Sequence, residues 1–355
     1  MTAHNVPAPG RPLPPLVSWR TLRVGSVSVR VYPRVLGVAA VLVAVVGVVA
    51  ALTLGISQLD LSPAETWWAL WGTGDAASVR SVQGRRLPRL LTALCVGGAL
   101  GVSGSVFQSL SRNVLGSPDI IGFTTGAATA ATFQMVVFGG GVVPTAVAAL
   151  VGGLVTALIV YTLARRDGVT GGLRLVLVGV GTGAILSAVT DFLIAKADIS
   201  DAATVQLWTS GSLVGRGWTH VGVIAAALAL VLIPLIVASR ALAIIEMGDD
   251  AATSVGTATE RTRFAMVVLA VVLVGVATAA AGPIAFVALA APQIARRLLR
   301  SGRIALGVTF LVGGTLLAAA DLLAQSLDIG LRTPVGLVTS LLGGVYLLWL
   351  LARRV

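Results

Sequence analysis

The chain has little of what a soluble protein shows to water. Only 11% of its 355 residues are charged, against roughly 25% in an average soluble domain, and its mean hydropathy is +0.97. That deficit excludes a large soluble helical protein, which needs a charged surface however big its core. Lysine occurs once, as Lys196. No G-x-x-x-x-G-K-[ST] loop exists, and the chain has no phosphate cradle of that kind for hydrolysing nucleotide. The single cysteine, Cys95, lies in an apolar run; it excludes an intrachain disulfide and reads as a small hydrophobe. His4 and His220 are far apart, and no Cys, His and carboxylate cluster has metal-ligand spacing. Acidic residues number 14 against 25 Lys and Arg, a net charge of +11. In a nucleic-acid binder that excess would gather in a patch on a soluble face. Here the arginines stand at the ends of apolar runs, as membrane topology requires.

What is present is a series of long uncharged runs. A helix needs about 20 apolar residues to cross the hydrocarbon of a bilayer. Residues 35–59, 90–111, 175–195, 217–239, 304–324 and 333–352 each give one span. Residues 120–164 and 264–295 are too long for one crossing and are divided at "GGGVVP" (139–144) and "AGP" (281–283). The seventh and eighth spans are the short ones. The pattern predicts an all-α polytopic membrane protein with ten transmembrane helices and both termini on one side. The segments on the side of the termini hold 18 of the 25 Lys and Arg, and those on the other side hold seven. By the positive-inside rule both termini are cytoplasmic. Residues 1–34, rich in Pro and Arg, are expected to be a disordered, basic cytoplasmic segment. Residues 35–355 form the ten-span domain. Its first apolar stretch is longer than a signal-peptide core and lacks an A-x-A site, so it reads as an uncleaved span in the plasma or inner membrane.

Glycine numbers 42. Gly97/Gly101, Gly122/Gly126 and Gly179/Gly183 have the spacing that lets helix backbones approach closely in lipid. "GVGTGA" (179–184) resembles a nucleotide loop only superficially, because it follows no strand. A polar knot, "SRNVLGSPD" (111–119), ends the second span on the cytoplasmic side. Near it lie Ser103, Ser105, Gln108, Ser109, Thr124, Thr125 and Gln134. Singly these are helix–helix hydrogen-bonding groups; together, with Ser105, Gln108 and Ser109 closest to the knot, they are a candidate path lining. Asp191 and Asp321 fall near the outer ends of their spans, within reach of water. No acidic or histidine relay crosses the midplane, which counts against a proton- or sodium-driven carrier. The longest cytoplasmic loop, 240–263, "RALAIIEMGDDAATSVGTATERTR", reads as two short helices, the second capped by Asp249 or Asp250. It is a solvated loop or a docking surface for a soluble partner.

Five segments, in order, carry a resemblance over about residues 50 to 352. They are "RLPRLLTALCVGGALGVSGSVFQSLSRNVLGSPDIIG", "VQLWTSGSL", "MGDDAATSVG", "AGPIAFVALAAPQIARRL", and "AADLLAQ" followed by "TPVGLVTSLLGGVYLLWLL". The series resembles the FecCD-like permease subunits of ABC importers for ferric siderophores, haem and cobalamin. The resemblance implies the type II ABC importer permease fold and a second permease, identical or related, alongside. It also implies two cytoplasmic ATPases that hold the ATP and an extracytoplasmic binding protein that delivers the ligand. The chain itself would be no enzyme, bind no cofactor or metal, and touch the bilayer but no nucleic acid.

Carried over by that resemblance, Arg86 and Arg89 dock the binding protein. Three residues apart on one helical face, they are placed to fork carboxylates, unless they anchor the membrane interface instead. Gln325 stands where some members have a docking arginine, and Arg332 compensates. Asn113 and Leu115 match the cytoplasmic gate, with Thr170 near a second gate. Met247, Gly248, Asp249, Asp250, Ala251, Ala252, Val255 and Gly256 match the loop that fits the ATPase. The chain departs from the pattern at Val114 (for proline), Gln293 (for histidine), Gln325 and "GGVYL", which lacks a late proline. The expected function is alternating-access import of a ferric siderophore, with haem or cobalamin as alternatives. An ion-coupled carrier would want midplane carboxylates or discontinuous helices around an ion site. A membrane enzyme would want paired acids, a nucleophile–base pair or metal ligands.

Overall fold

A computed structural model describes residues 20–24, 27–55, 61–139, 141–166, 169–300, 305–326 and 333–352. A short antiparallel hairpin, β1 (Arg20–Val24) and β2 (Val27–Val31), precedes the first helix, with Arg20 opposite Val31. It falls inside the 1–34 segment expected to be disordered, where residues 20–24 and 27–31 are paired strands. The signal was two runs separated by Gly25-Ser26, a spacing that closes a two-residue hairpin. Residues 1–19 lie outside the described residues.

α1 (Pro33–Gly55) opens on a proline, whose missing N–H costs nothing at a first turn. α2 (Pro63–Leu70) starts in a capping box, Ser62 with Glu65, and α3 (Ala76–Ser81) is capped by Asp75. A π turn, Val82–Arg86, joins α3 to α4 (Leu87–Ser111) in one continuous rod. α5 (Phe123–Phe138) and α6 (Val142–Ala164) follow. A second small hairpin, β3 (Arg165–Arg166) and β4 (Val169–Thr170), leads to α7 (Gly172–Lys196), α8 (Ile199–Thr209) and α9 (Trp218–Glu246). α10 (Asp249–Ser254), α11 (Thr259–Ala281), α12 (Val287–Leu299), α13 (Leu306–Ser326) and α14 (Val335–Ala352) complete the chain.

Every one of the ten expected spans is met by a helix, and the small elements α2, α3, α8 and α10 lie between them. Among the described residues seven helices are long and apolar enough to cross a membrane, and α5 and α14 are shorter apolar helices. The seventh span is not short: α11 begins at Thr259, within what reads as loop. The eighth is, because α12 has 13 residues, roughly 20 Å, and covers only part of a bilayer about 30 Å thick. Pro283 to Phe286 take its place as irregular backbone. Gly282 makes that break at φ 75, where a Cβ would meet the Trp208 carbonyl at 2.4 Å. Backbone of this kind is tolerated at membrane depth where protein surrounds it. In the 240–263 loop α9 runs on to Glu246, so only one short helix, α10, is present. Its N-cap is Gly248 at φ 128, with Asp249 and Asp250 in the first turn rather than at the cap.

α4 is the axis of the bundle, with 83% of its most apolar window buried. Glycine permits its close crossings. A Cβ on Gly97 would lie 2.3 Å from the Gly313 carbonyl of α13, and one on Gly104 only 1.7 Å from the Ala288 carbonyl of α12. Gly122 abuts Gly179 and Gly183 of α7 in the same manner, so all three glycine pairs serve packing. α1 and α7 contribute little to this core, with 6% and 11% of their windows buried; their apolar sides are left for lipid or another chain.

The start of α1 and the ends of α12 and α14 share one face. The Arg34 guanidinium donates to the Leu298 carbonyl at 3.2 Å, and Arg297 stacks over Trp349 at 4.9 Å. This terminal face carries the residues expected to form the gate and the coupling loop.

Candidate functional site

α4 stops where Arg112 turns left-handed at φ 50. The next residues fold back on the helix end. The Asn113 side-chain oxygen accepts the Leu115 N–H at 3.0 Å, an Asx turn, and the Gly116 N–H reaches the Asn113 carbonyl at 3.0 Å. A Cβ at Gly116 would strike the Ser111 hydroxyl at 2.1 Å. From Ser117 onward the chain enters the bundle, ending at Gly122 against α7. The polar knot, where the gate is expected, is therefore a tight turn at the terminal face continued by an inward limb. Two departures from the family pattern meet here: the Gln293 amide donates to the Val114 carbonyl at 2.9 Å and also contacts the Tyr346 hydroxyl at 3.4 Å. Leu115, 42% exposed, stands at the tip.

A chain of charges connects this turn to α10 and to the β3–β4 hairpin. Asp249 accepts from Arg112 at 2.8 Å and from Arg263 at 2.9 Å, both on one oxygen. Arg263 also donates to Glu260 at 3.0 Å. Glu260 in turn accepts the Thr170 hydroxyl at 2.6 Å and the Tyr161 hydroxyl. Asn113's neighbour Arg112, Asp249 of the expected coupling loop and Thr170, expected near a second gate, thus belong to one network, with Arg263 and Glu260 at its centre. Arg263 is 2% exposed, whereas Asp249 and Glu260 are each about 30% exposed at the side chain (32% and 29%). A second ion pair, Arg296 with Glu246 at 3.1 Å, ties α12 to the end of α9.

α10 turns Ala252 into the protein and presents the rest. Met247 and Val255 are 79% and 66% exposed, and Asp250 and Ala251 are exposed between them. Gly248 at φ 128 and Gly256 at φ 78 bracket the helix. Apolar side chains this open on an otherwise polar surface fit a partner protein.

The docking arginines are placed differently from the expectation. Arg86 closes the π turn, whose wider hydrogen-bonding period aims it at α1. It is 8% exposed and donates to the Leu54 carbonyl in the last turn of that helix. Arg89 points instead at α13 and forks Asp321 at 2.8 and 2.9 Å, with Gln325 bound to the same carboxylate at 2.9 Å. Asp321 is 1% exposed and does not reach water. Neither arginine offers a free fork. The exposed guanidiniums at this opposite face are Arg80 and Arg85, which sequence reasoning passed over. Arg332 lies outside the described residues.

The expected path lining is corrected as well. Ser105, Gln108 and Ser109 are at most 2% exposed and are turned into the bundle, because α4 and α12 touch backbone to backbone at Gly104. The Gln108 amide donates to the Leu289 carbonyl at 3.0 Å, and the Ser109 hydroxyl accepts from Arg296 at 3.3 Å.

Residues 24–353 match the FecCD transport family. The chain belongs to that family. Among FecCD relatives it is 45% identical over 296 residues to the ferric enterobactin transport system permease protein FepG of Escherichia coli (strain K12), covering 83% of this chain and 89% of that one. It is 37% identical over 307 residues to the achromobactin transport system permease protein CbrC of Dickeya dadantii (strain 3937), covering 85% and 87%. A solved structure described as an inward-facing conformation of a metal-chelate type ABC transporter superposes with a TM-score of 0.78 at 27% identity, covering 90% of this chain and 99% of that one. This FecCD member is thus a multi-pass membrane permease, and its 111–119 turn, α10 and ion network lie on one face of the FecCD fold.

Proposed function

We propose that the chain is the transmembrane permease subunit of an ATP-driven ABC importer of ferric siderophores, working by alternating access. One observation carries the reading beyond family membership: the exposed α10 is wired by ion pairs to the gate turn through Arg112 and to Thr170 through Arg263 and Glu260. A soluble ATPase that grips Met247 and Val255 and moves α10 moves both. In this reading the terminal face is cytoplasmic, in the plasma or inner membrane. A second permease, identical or related, lies alongside, and two ATPases hold the ATP while this chain holds no cofactor. An extracytoplasmic binding protein delivers the chelate. The siderophore class follows the relatives' names.

Gentle solubilisation from the native membrane, followed by mass identification of what travels with the tagged chain, tests this. A co-purifying P-loop ATPase is expected. Reproducible recovery of the folded chain alone would overturn the reading in favour of an ion-coupled carrier.

Docking of the binding protein is assigned to Arg80 and Arg85. Reversing both to Glu is expected to weaken binding-protein affinity at least tenfold with no change in thermal midpoint. Arg89→Glu, facing Asp321, is expected to destabilise the fold by about 3 kcal/mol, as when a buried pair loses one partner. Equal loss of affinity with a normal midpoint at Arg89 would return the role to that residue.

A further inference from the structure

A cleft apart from the α10 ion network lies at the end of the inward limb, among α5, α7, α8 and α14. It has a volume of about 370 Å³, and its polar wall includes Asp119, Thr125, Ser187, Thr190, Asp191 and Ser340. Its depth follows from α7. The inward limb at Gly122 rests on Gly179 and Gly183, seven and eleven residues past the start of that helix, or roughly 10–16 Å along it. Asp191 is 19 residues past the start, roughly 28 Å. The cleft therefore runs from the middle of the bundle towards the opposite face.

Carboxylates at that depth are costly against lipid and belong on a watery cavity. Asp119 is held by the Thr124 hydroxyl at 2.7 Å and by the Phe286 backbone N–H. Asp191 is exposed and, among the described residues, makes no ion pair or side-chain hydrogen bond. On the same helices as its lining, Ile185 and Leu341 are 68% and 70% exposed, covered by none of the described residues, as expected beside a second permease. Among the described residues no lysine or arginine lines it; Arg332 lies outside them. Two carboxylates and a row of hydroxyls give a wall that attracts positive charge and hydrogen-bond donors and repels anions.

We propose that this cleft is a ligand-contact station on the translocation path, selecting ferric chelates whose periphery carries an ammonium group or hydrogen-bond donors over polyanionic chelates. The inference rests on the importer reading and narrows its substrate class. It separates the cargo of this chain from polyanionic chelates. Asp191 provides the accessible charge; Asp119 provides a second one and also fixes the start of α12 through Phe286.

The test uses the complete importer in proteoliposomes with ATP and its own binding protein. The probes are a radio-iron linear trihydroxamate bearing a free terminal amine and the same chelate with that amine acetylated. They differ by one positive charge, so the ratio of their uptake rates reads charge selection. Asp191→Asn, isosteric and exposed, is expected to lower the cationic-to-neutral uptake ratio about tenfold relative to the unaltered importer. Asp119→Asn is expected to shift the ratio in the same direction. Because the binding protein is the same throughout, its own preference cancels in that comparison. An unchanged ratio in both variants overturns the station while leaving the importer reading intact. Absence of ATP-dependent uptake of either chelate by the unaltered complex overturns both.

Discussion

Arg263→Met is expected to uncouple transport from ATP hydrolysis, lowering uptake per ATP at least tenfold, and to cost about 2–3 kcal/mol of stability. The guanidinium is 2% exposed and donates to Asp249 and Glu260 from separate nitrogens. Removing one member of a buried ion pair costs roughly 3–5 kcal/mol. A cost at or just below the foot of that range applies because both carboxylates are about 30% exposed (32% and 29%) and keep other donors, Arg112 on one and Thr170 and Tyr161 on the other. Arg263→Lys keeps the charge but not the fork, and should fall between. Arg112→Gln removes a pair 42% and 32% exposed, a contact worth at most about 1 kcal/mol, so its stability should be near normal. The ordering of the three variants separates a relay from a fold-stabilising contact. Uptake per ATP is measured in proteoliposomes and the thermal midpoint in detergent. A normal transport ratio in a destabilised Arg263→Met protein would reduce the network to a structural brace.

Much of the scaffold was legible because a bilayer imposes a simple rule on a sequence. Uncharged runs of the right length become helices, and the two double-length runs break where glycine takes a positive φ, at Gly139 and Gly141 and at Gly282. What hydropathy could not show is that part of an apolar run is not helical. "GPIAF" is as apolar as its neighbours, so the shortness of α12 was visible only as an uncertain boundary. The ion network was hidden for another reason. Arg112 and Asp249 are 137 residues apart, and Arg89 and Asp321 are 232 apart, and nothing local marks such pairs. Only Glu260 and Arg263, three residues apart at the start of α11, carried a local signal. The docking arginines were misread because the i, i+3 argument assumes an unbroken α-helix. The π turn at Val82–Arg86 directs each to a different neighbour. Asp321 was misread because nearness to a helix end was taken as nearness to water. Ser105, Gln108 and Ser109 sit on the correct helix but on its packed side, a choice that single-sequence polarity does not fix when the helix is buried all round.

The same packing sets the largest expected loss of stability. Gly104→Ala adds one carbon where the Ala288 carbonyl oxygen is 1.7 Å away and its carbon 2.6 Å away. The obstacle is backbone, so no side-chain rotation relieves it, and α4 and α12 must part. Overpacking in a close-packed interior costs typically 1–3 kcal/mol and sometimes more; a clash this deep belongs at or above about 3 kcal/mol. The consequence extends beyond stability, because α12 also carries Gln293 on the Val114 carbonyl and Arg296 on Glu246. Displacing it disturbs the turn at Val114 and the end of α9 together. Gly222→Ala on α9 is the control: its Cβ would meet nothing within 4 Å, and replacing glycine inside a helix gains about 0.5–1 kcal/mol. Thermal unfolding in detergent, read by size-exclusion chromatography, should show Gly104→Ala aggregating well below the unaltered protein and Gly222→Ala at or above it. Equal midpoints for the two would mean that α4 and α12 do not touch at Gly104, and the buried placement of Ser105, Gln108 and Ser109, which depends on that contact, would fall with it.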